Sequence, residues 1–246
     1  MPTKVLTARI NESRFYLGMA LTTAGIAIAG FAPAILEPAG RKAELTWAVA
    51  AHGTLFTAWL LLFMVQTALV RTRRVAIHRR LGYAAVGIAA LMVVTAYFTM
   101  IAMARRGFDL SGDLSNGPGG VRDQLVFQLG DLVSFTVLVA AAVWQRRRPS
   151  IHKRLMVLAT VGGLMPAALA HLIGHSPTLR EIKAPIVLIP LVILFFAPAV
   201  HDRWSEGRIH PVSLWVAVGL FVWANLRAAL IGPSAAWRDF VDWLIH

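Results

Sequence analysis

The sequence predicts an all-α membrane protein, seven transmembrane helices arranged as one helix followed by three hairpins. Three observations carry that prediction. Hydrophobic residues make up 57% of the 246 residues and charged ones 15%, against about a quarter charged in a soluble domain. The apolar residues fall in runs long enough to cross roughly 30 Å of hydrocarbon, which takes about 20 helical residues. The runs are apolar all round, whereas barrel strands alternate; with no backbone group left unpaired in lipid, helices remain.

The first run, 15–36, follows a basic start. Its apolar stretch of about 20 residues exceeds a signal-peptide core, which predicts an uncleaved helix. The second and third, 46–70 and 81–104, flank Arg73-Arg74-Val75-Ala76-Ile77-His78-Arg79-Arg80-Leu81. The fourth and fifth, 124–144 and 155–173, flank Arg147-Arg148-Pro149-Ser150-Ile151-His152-Lys153-Arg154-Leu155, a copy of the same pattern. The sixth, 184–200, has Pro185 in its first turn, Pro190 inside, which predicts a kink, and Pro198, which predicts a loosened end. The seventh, 212–231, follows a weaker third copy, Arg208-Ile209-His210-Pro211. All belong to a single domain, 1–246. After Pro233, Trp237, Phe240, Val241 and Leu244 stand at helical spacing with Arg238, Asp239 and Asp242 between them. That predicts a short helix over 234–246, lying on the outer membrane surface or packed on the bundle. Residues 105–122, with Gly112, Gly117, Pro118, Gly119 and Gly120, read as a flexible outer loop, and 174–183 as a short polar connection.

The net charge of +12 has a position. With the N-terminus inside, the inner side holds 15 basic residues against three acids, Glu12, Asp202 and Glu206, and the outer side holds nine of each. The positive-inside rule then places the chain in a bacterial cytoplasmic membrane, N-terminus cytoplasmic and C-terminus outside. The basic face is thereby accounted for by the lipid bilayer, without nucleic acid. The chain has no cysteine, which excludes disulfides, thiolate metal sites and c-type haem. Walker, dinucleotide and serine-hydrolase motifs are missing, and no lysine in the seventh run could carry a retinal Schiff base.

Ionisable groups inside a membrane call for a reason. His52 and His171 both fall roughly 28 Å above the inner end of their spans, and Asp131 roughly 21 Å above its own. His175 follows His171 at i+4, a spacing that puts two imidazoles on one helix face. Together His52, Asp131, His171 and His175 predict a metal site near the outer face for zinc, copper or iron. Alternatively, His52 and His171 are axial ligands of haem b. The structural reading makes the histidines interfacial and ties Asp131, with Gln128 one turn before it, to a neighbouring helix. Arg227 in the seventh run snorkels outward, or pairs with Asp131 or an anionic ligand. His78, His152, His201 and His210 form an inner-face set. They read either as a second cofactor site or as one repeated device that caps helices or meets lipid phosphates.

His52-Gly53, Trp59, Gln66 and Leu69-Val70 followed by His78-Arg79-Arg80-Leu81-Gly82 form one motif set. His152-Lys153-Arg154-Leu155-Met156, His201-Asp202 and Gly207-Arg208-Ile209-His210-Pro211 form another. Over about residues 45–215 they resemble a family of bacterial multi-pass membrane proteins known as a domain of unknown function. The resemblance implies that His52, His78, His152, His201 and His210 belong to a shared pattern, with no activity attached. A weaker similarity runs to cytochrome b561-like proteins, from which this chain departs in placing its histidines near helix ends. The functional expectation is a redox or metal-handling membrane protein, exchanging electrons or metal with quinone or another membrane redox protein. The alternatives are a proton-coupled transporter using Asp131, with Gln128 and Arg227 beside it, and a non-catalytic assembly or scaffold subunit.

Overall fold

The structure, a computed structural model, describes residues 2–37, 40–112, 120–176, 178–179 and 185–246. Among them there are helices and turns and no strand. The helices are α1 (Pro2–Leu36), α2 (Trp47–Arg71), α3 (Val75–Arg106), α4 (Gly120–Trp144), α5 (Pro149–His175), α6 (Pro185–Glu206), α7 (Pro211–Leu226) and α8 (Ala235–Ile245). A π-helical turn, Arg227–Ile231, continues α7. Among the described residues, six stretches are long and apolar enough to cross a membrane: Glu12–Leu36 of α1, then α2, α3, α4, α5 and Pro211–Ile231. This is a multi-pass membrane architecture, and the count of seven rests on α6.

Several helices start earlier than the apolar pattern does. α1 begins at Pro2, α3 at Val75 and α5 at Pro149. Arginine and lysine are good helix formers, so a basic segment extends a helix where an apolar scan stops. Pro149 and Pro211 sit in first turns, where the missing N–H is not needed. α6 corrects the expectation at Pro198: the helix runs on to Glu206 with both Pro190 and Pro198 inside it. Its last turn is held from the side by ion pairs from Arg154 of α5.

The apolar surface faces outward. Leu21, Leu61, Phe98, Val137 and Ile193 are exposed, and only 11% of the most apolar window of α2 is buried. A soluble protein does not leave such stripes in water. Exposed aromatics gather toward the ends: Tyr83, Trp144, Trp204 and Trp215 at one, Trp47 and Trp243 at the other. That is the pattern of interfacial belts. The short turns 72–74, 145–148 and 207–210 share the first of these ends, the basic end. The longer connections and α8 lie at the opposite, far end.

α1 to α5 follow one another around a ring that the α1–α5 contact closes, and α6 and α7 complete the bundle against α5. Lipid tails are as apolar as leucine, so helices associate through close packing and small residues. A side chain at Gly30 of α1 would overlap the Ala168 carbonyl of α5; Gly162 and Gly163 make room for Leu220 of α7 and Phe135 of α4. At mid-depth Trp59 of α2 reaches across the ring, donating to the Thr160 hydroxyl at 3.3 Å and meeting Phe135 edge-on.

α8 packs on the bundle through one face and leaves the other exposed. Ser234 caps it by accepting from the Trp237 N–H. Trp237, Val241 and Ile245 bury against Met100, Ile101, Val121 and Leu125, while Trp243 on the other face is 74% exposed. Arg122 pairs with Asp242 at 2.6 Å, and Arg105 donates to the Ile245 carbonyl.

Candidate functional site

Buried polar groups concentrate at the two ends of α7. At the basic end Arg154 of α5 is almost wholly buried. Its Nε donates to Asp202 at 3.0 Å and to the Ser213 hydroxyl at 3.1 Å. One Nη donates to Asp202 at 2.5 Å and to Glu206 at 2.7 Å, and the other to the Ser150 carbonyl. Ser213 in turn donates to Asp202. The cluster ties α5, α6 and α7 together. Beside it Lys153 forms an ion pair with Glu12 of α1 and lies over the Tyr16 ring.

The inner-face histidines meet different neighbours. His210 caps α7, its Nδ1 accepting from the Val212 N–H at 3.2 Å. Burial, and then the charge of Arg154, hold its pKa below the ordinary histidine value. His152 instead donates from Nδ1 to the Ala142 carbonyl of α4 at 2.8 Å. His201 stacks on Phe15 of α1 at 4.0 Å. His78 faces His152, ring centroids 6.4 Å apart. α3 and α5 have Arg74 and Arg148 at their caps, with no side-chain cap bond. The shared sequence pattern thus meets different neighbours at each copy.

At the far end Asp131 of α4 and Arg227, where α7 becomes the π-helical turn, form a buried ion pair at 2.8 Å. Arg227 also donates to the Phe127 carbonyl at 2.6 Å and to the Trp223 carbonyl at 3.4 Å, with its guanidinium over both rings. Trp223 and Ser134 both donate to the Gly130 carbonyl. Residue 130 is glycine because any side chain there would overlap the Arg227 guanidinium. Gln128 donates to the Met103 sulfur at 3.9 Å, and its buried amide oxygen has no hydrogen bond among the described residues. Asn225 is exposed and donates to the Phe221 carbonyl of its own helix.

The histidines of this end look elsewhere. His171 of α5 is buried against Phe31 of α1 and near His175, ring centroids 6.2 Å apart. Its Nδ1 lies 3.9 Å from the carboxylate of Asp109, which is itself buried and accepts from Ser111. Backbone N–H groups of Lys42 and Ala43 donate to the Leu110 carbonyl, pinning the described part of the loop that brings Asp109 inward. Gly117, Pro118 and Gly119 of the expected flexible loop lie outside the described residues. His52 lies tilted against Phe56, ring centroids 4.2 Å apart, and its buried Nδ1 has no hydrogen bond among the described residues. Counted outward from the Trp59–Thr160 bond, His52 is seven residues along and His171 eleven. His171 therefore stands roughly 6 Å further out.

So the structure joins His171 to His175 and Asp109, and Asp131 to Arg227. Among the described residues no group of three or more His, Asp or Glu is placed to hold one metal ion. Asp109 and the Arg154 cluster escaped the sequence reading. Asp109 carries no local signal. The Arg154 cluster had one: the three acids assigned to the basic face, Glu12, Asp202 and Glu206, are each ion-paired to Lys153 or Arg154. Comparison with known families, curated proteins and solved structures gives no match for this chain.

Proposed function

We propose that this chain is a proton-coupled membrane carrier of a small anion, with its chemistry at Asp131 and Arg227. The observation that carries the reading is this carboxylate–guanidinium pair, buried inside a membrane-crossing bundle. Intramembrane charges are costly and mark ion or proton pathways, and buried pairs contribute little to stability that apolar side chains would not. Asp131 and Arg227 cancel each other. A proton on Asp131 leaves the Arg227 charge unanswered, and an anion restores neutrality, so proton and anion move together. Gln128, one turn from Asp131, offers its free amide oxygen to the arriving proton or to a hydroxyl of the anion. Loss of the pair releases the far end of α7 from α4, while the Arg154 cluster holds the basic end. Irregular π-turns, frequent at functional sites, supply the slack.

In this reading α6 is the seventh crossing. α5 ends at the far end and α7 starts at the basic end, so the chain between them has the thickness of the bundle to cover. The excess of arginine and lysine puts the basic end in the cytoplasm of a bacterial cell. The test is uptake into liposomes holding the purified protein and a pH dye, with acetate, lactate and phosphate offered under an inward proton gradient. The expected result is anion-dependent acidification that Asp131→Asn abolishes. Proton-linked uptake that survives Asp131→Asn overturns the proposal.

A second reading keeps His52 and His171 as ligands of haem b or of a zinc, copper or iron ion, serving quinone or a redox partner. It is favoured by the buried, unanswered Nδ1 of His52. Asp131, engaged by Arg227, is then replaced beside His171 by Asp109, with His175 adjacent. Absorption spectra of oxidised and dithionite-reduced protein, with metal analysis, decide it. A Soret band or a stoichiometric metal lost in His52→Ala supports this reading, and a flat, metal-free sample removes it.

A further inference from the structure

His78, His152 and Gln66 meet at the basic end where α2, α3, α4 and α5 converge. His152 spends its Nδ1 proton on the Ala142 carbonyl, which leaves Nε2 as the lone-pair nitrogen of the neutral ring. His78 faces it at 6.4 Å between centroids, with planes at 79°, and its ring hydrogen-bonds the Gln66 backbone. The His78 Nδ1 is buried with no hydrogen bond among the described residues, and so is the Gln66 side-chain oxygen. The Gln66 amide reaches Gly82, one turn beyond His78. Two buried acceptor atoms, His78 Nδ1 and the Gln66 side-chain oxygen, thus have no donor among the described residues, and the ring that carries the His152 Nε2 lone pair faces His78. Buried polar atoms are normally paired, and each exception calls for an explanation.

We infer that this junction is a site for one transition-metal ion of the copper or zinc kind, held by His78 and His152 with the Gln66 amide oxygen as third ligand. Imidazole suits both metals. Two imidazoles sharing an ion through bonds of about 2.0–2.1 Å have centroids roughly 5 Å apart at a tetrahedral angle and roughly 6.5 Å apart when the bonds are collinear; the 6.4 Å here is the open end of that range, from which the rings close by about 1 Å onto an ion with a third ligand. An Nδ1–H donated to a backbone carbonyl, as in His152, is the usual device that fixes a metal-binding imidazole. Among the neighbouring cations Arg79 is exposed, where water and lipid phosphates screen its charge. The site is separate from His52 and His171, which lie toward the other end of the bundle.

The test is titration of the purified, metal-stripped full chain with Zn2+ by calorimetry, and with Cu+ against a coloured chelator. One equivalent is expected, weakened at least about tenfold by His78→Ala or His152→Ala and unchanged by His52→Ala. Gln66→Glu, which replaces a neutral oxygen by a carboxylate, is expected to bind more tightly. Equal binding by wild type and both alanine variants shows adventitious surface binding and overturns the proposal. Should the alanine variants fail to fold, Gln66→Glu decides: no gain in affinity overturns it.

Discussion

Arg154 and Arg227 are both arginines buried among helices, and they are answered very differently. Arg154 meets two carboxylates, a hydroxyl and a carbonyl drawn from α5, α6 and α7. Arg227 meets one carboxylate and two carbonyls. Protonating one partner leaves Arg154 still paired, whereas protonating Asp131 leaves Arg227 with no other counter-charge among the described residues. The first arrangement locks three helices whatever the state of a single group. Under the proposed coupling, the second takes two states that differ by one proton.

Arg154→Ala is the hardest test of that contrast, because it strands Asp202 in a fully buried position. Breaking a buried pair from one side costs about 3–5 kcal/mol. Thermal unfolding in detergent is expected to show this as the largest loss among the variants. Asp131→Asn keeps an oxygen that accepts from Arg227 and is expected to cost less, about 1–3 kcal/mol. Replacing both members, Asp131→Leu with Arg227→Leu, is expected to return stability close to wild type while abolishing uptake. If the double variant unfolds as readily as Arg154→Ala, both ends are structural and the contrast fails. Glu206→Gln touches the exposed rim of the Arg154 cluster, the Glu206 side chain itself being 38% exposed. A loss under about 1 kcal/mol is expected there.

The smallest effect is a pH dependence. His210 caps α7 only while Nδ1 is unprotonated, and its pKa in the fold lies below the ordinary 6.5. As pH falls through about 6.5 the unfolded chain takes up the proton first, so the contribution of His210 is whole above that pH and declines below it. His210→Asn, which keeps a capping oxygen, is expected to flatten the slope between about pH 5 and 7. An unchanged slope would assign the pH dependence to another group.

Long apolar runs were legible because every residue in them reports the same solvent. The helix starts at Val75 and Pro149 were not, since arginine and lysine form helix without reporting lipid. The Asp131–Arg227 pair was half legible: each is a rare charge deep in its span, but which way α4 and α7 turn depends on packing around Gly130. Asp109 was illegible because a loop carboxylate shows nothing of the backbone bonds at Leu110 that bring it inward. His78, His152 and His210 share a pattern, yet Ala142, Val212 and His78 itself supply different partners to each copy. A partner from another helix leaves no trace in the local sequence.

The contact that closes the ring has a cost in time. α1 ends at Leu36 and α5 begins at Pro149. At ribosomal speeds of about 5–20 residues per second, the intervening chain takes on the order of ten seconds to emerge. Until then the Gly30 face of α1 has only lipid or the insertion machinery against it. The hairpins α2–α3 and α4–α5, with their short basic turns, can enter the membrane as pairs; the first helix has α2 beside it early but must wait for α5.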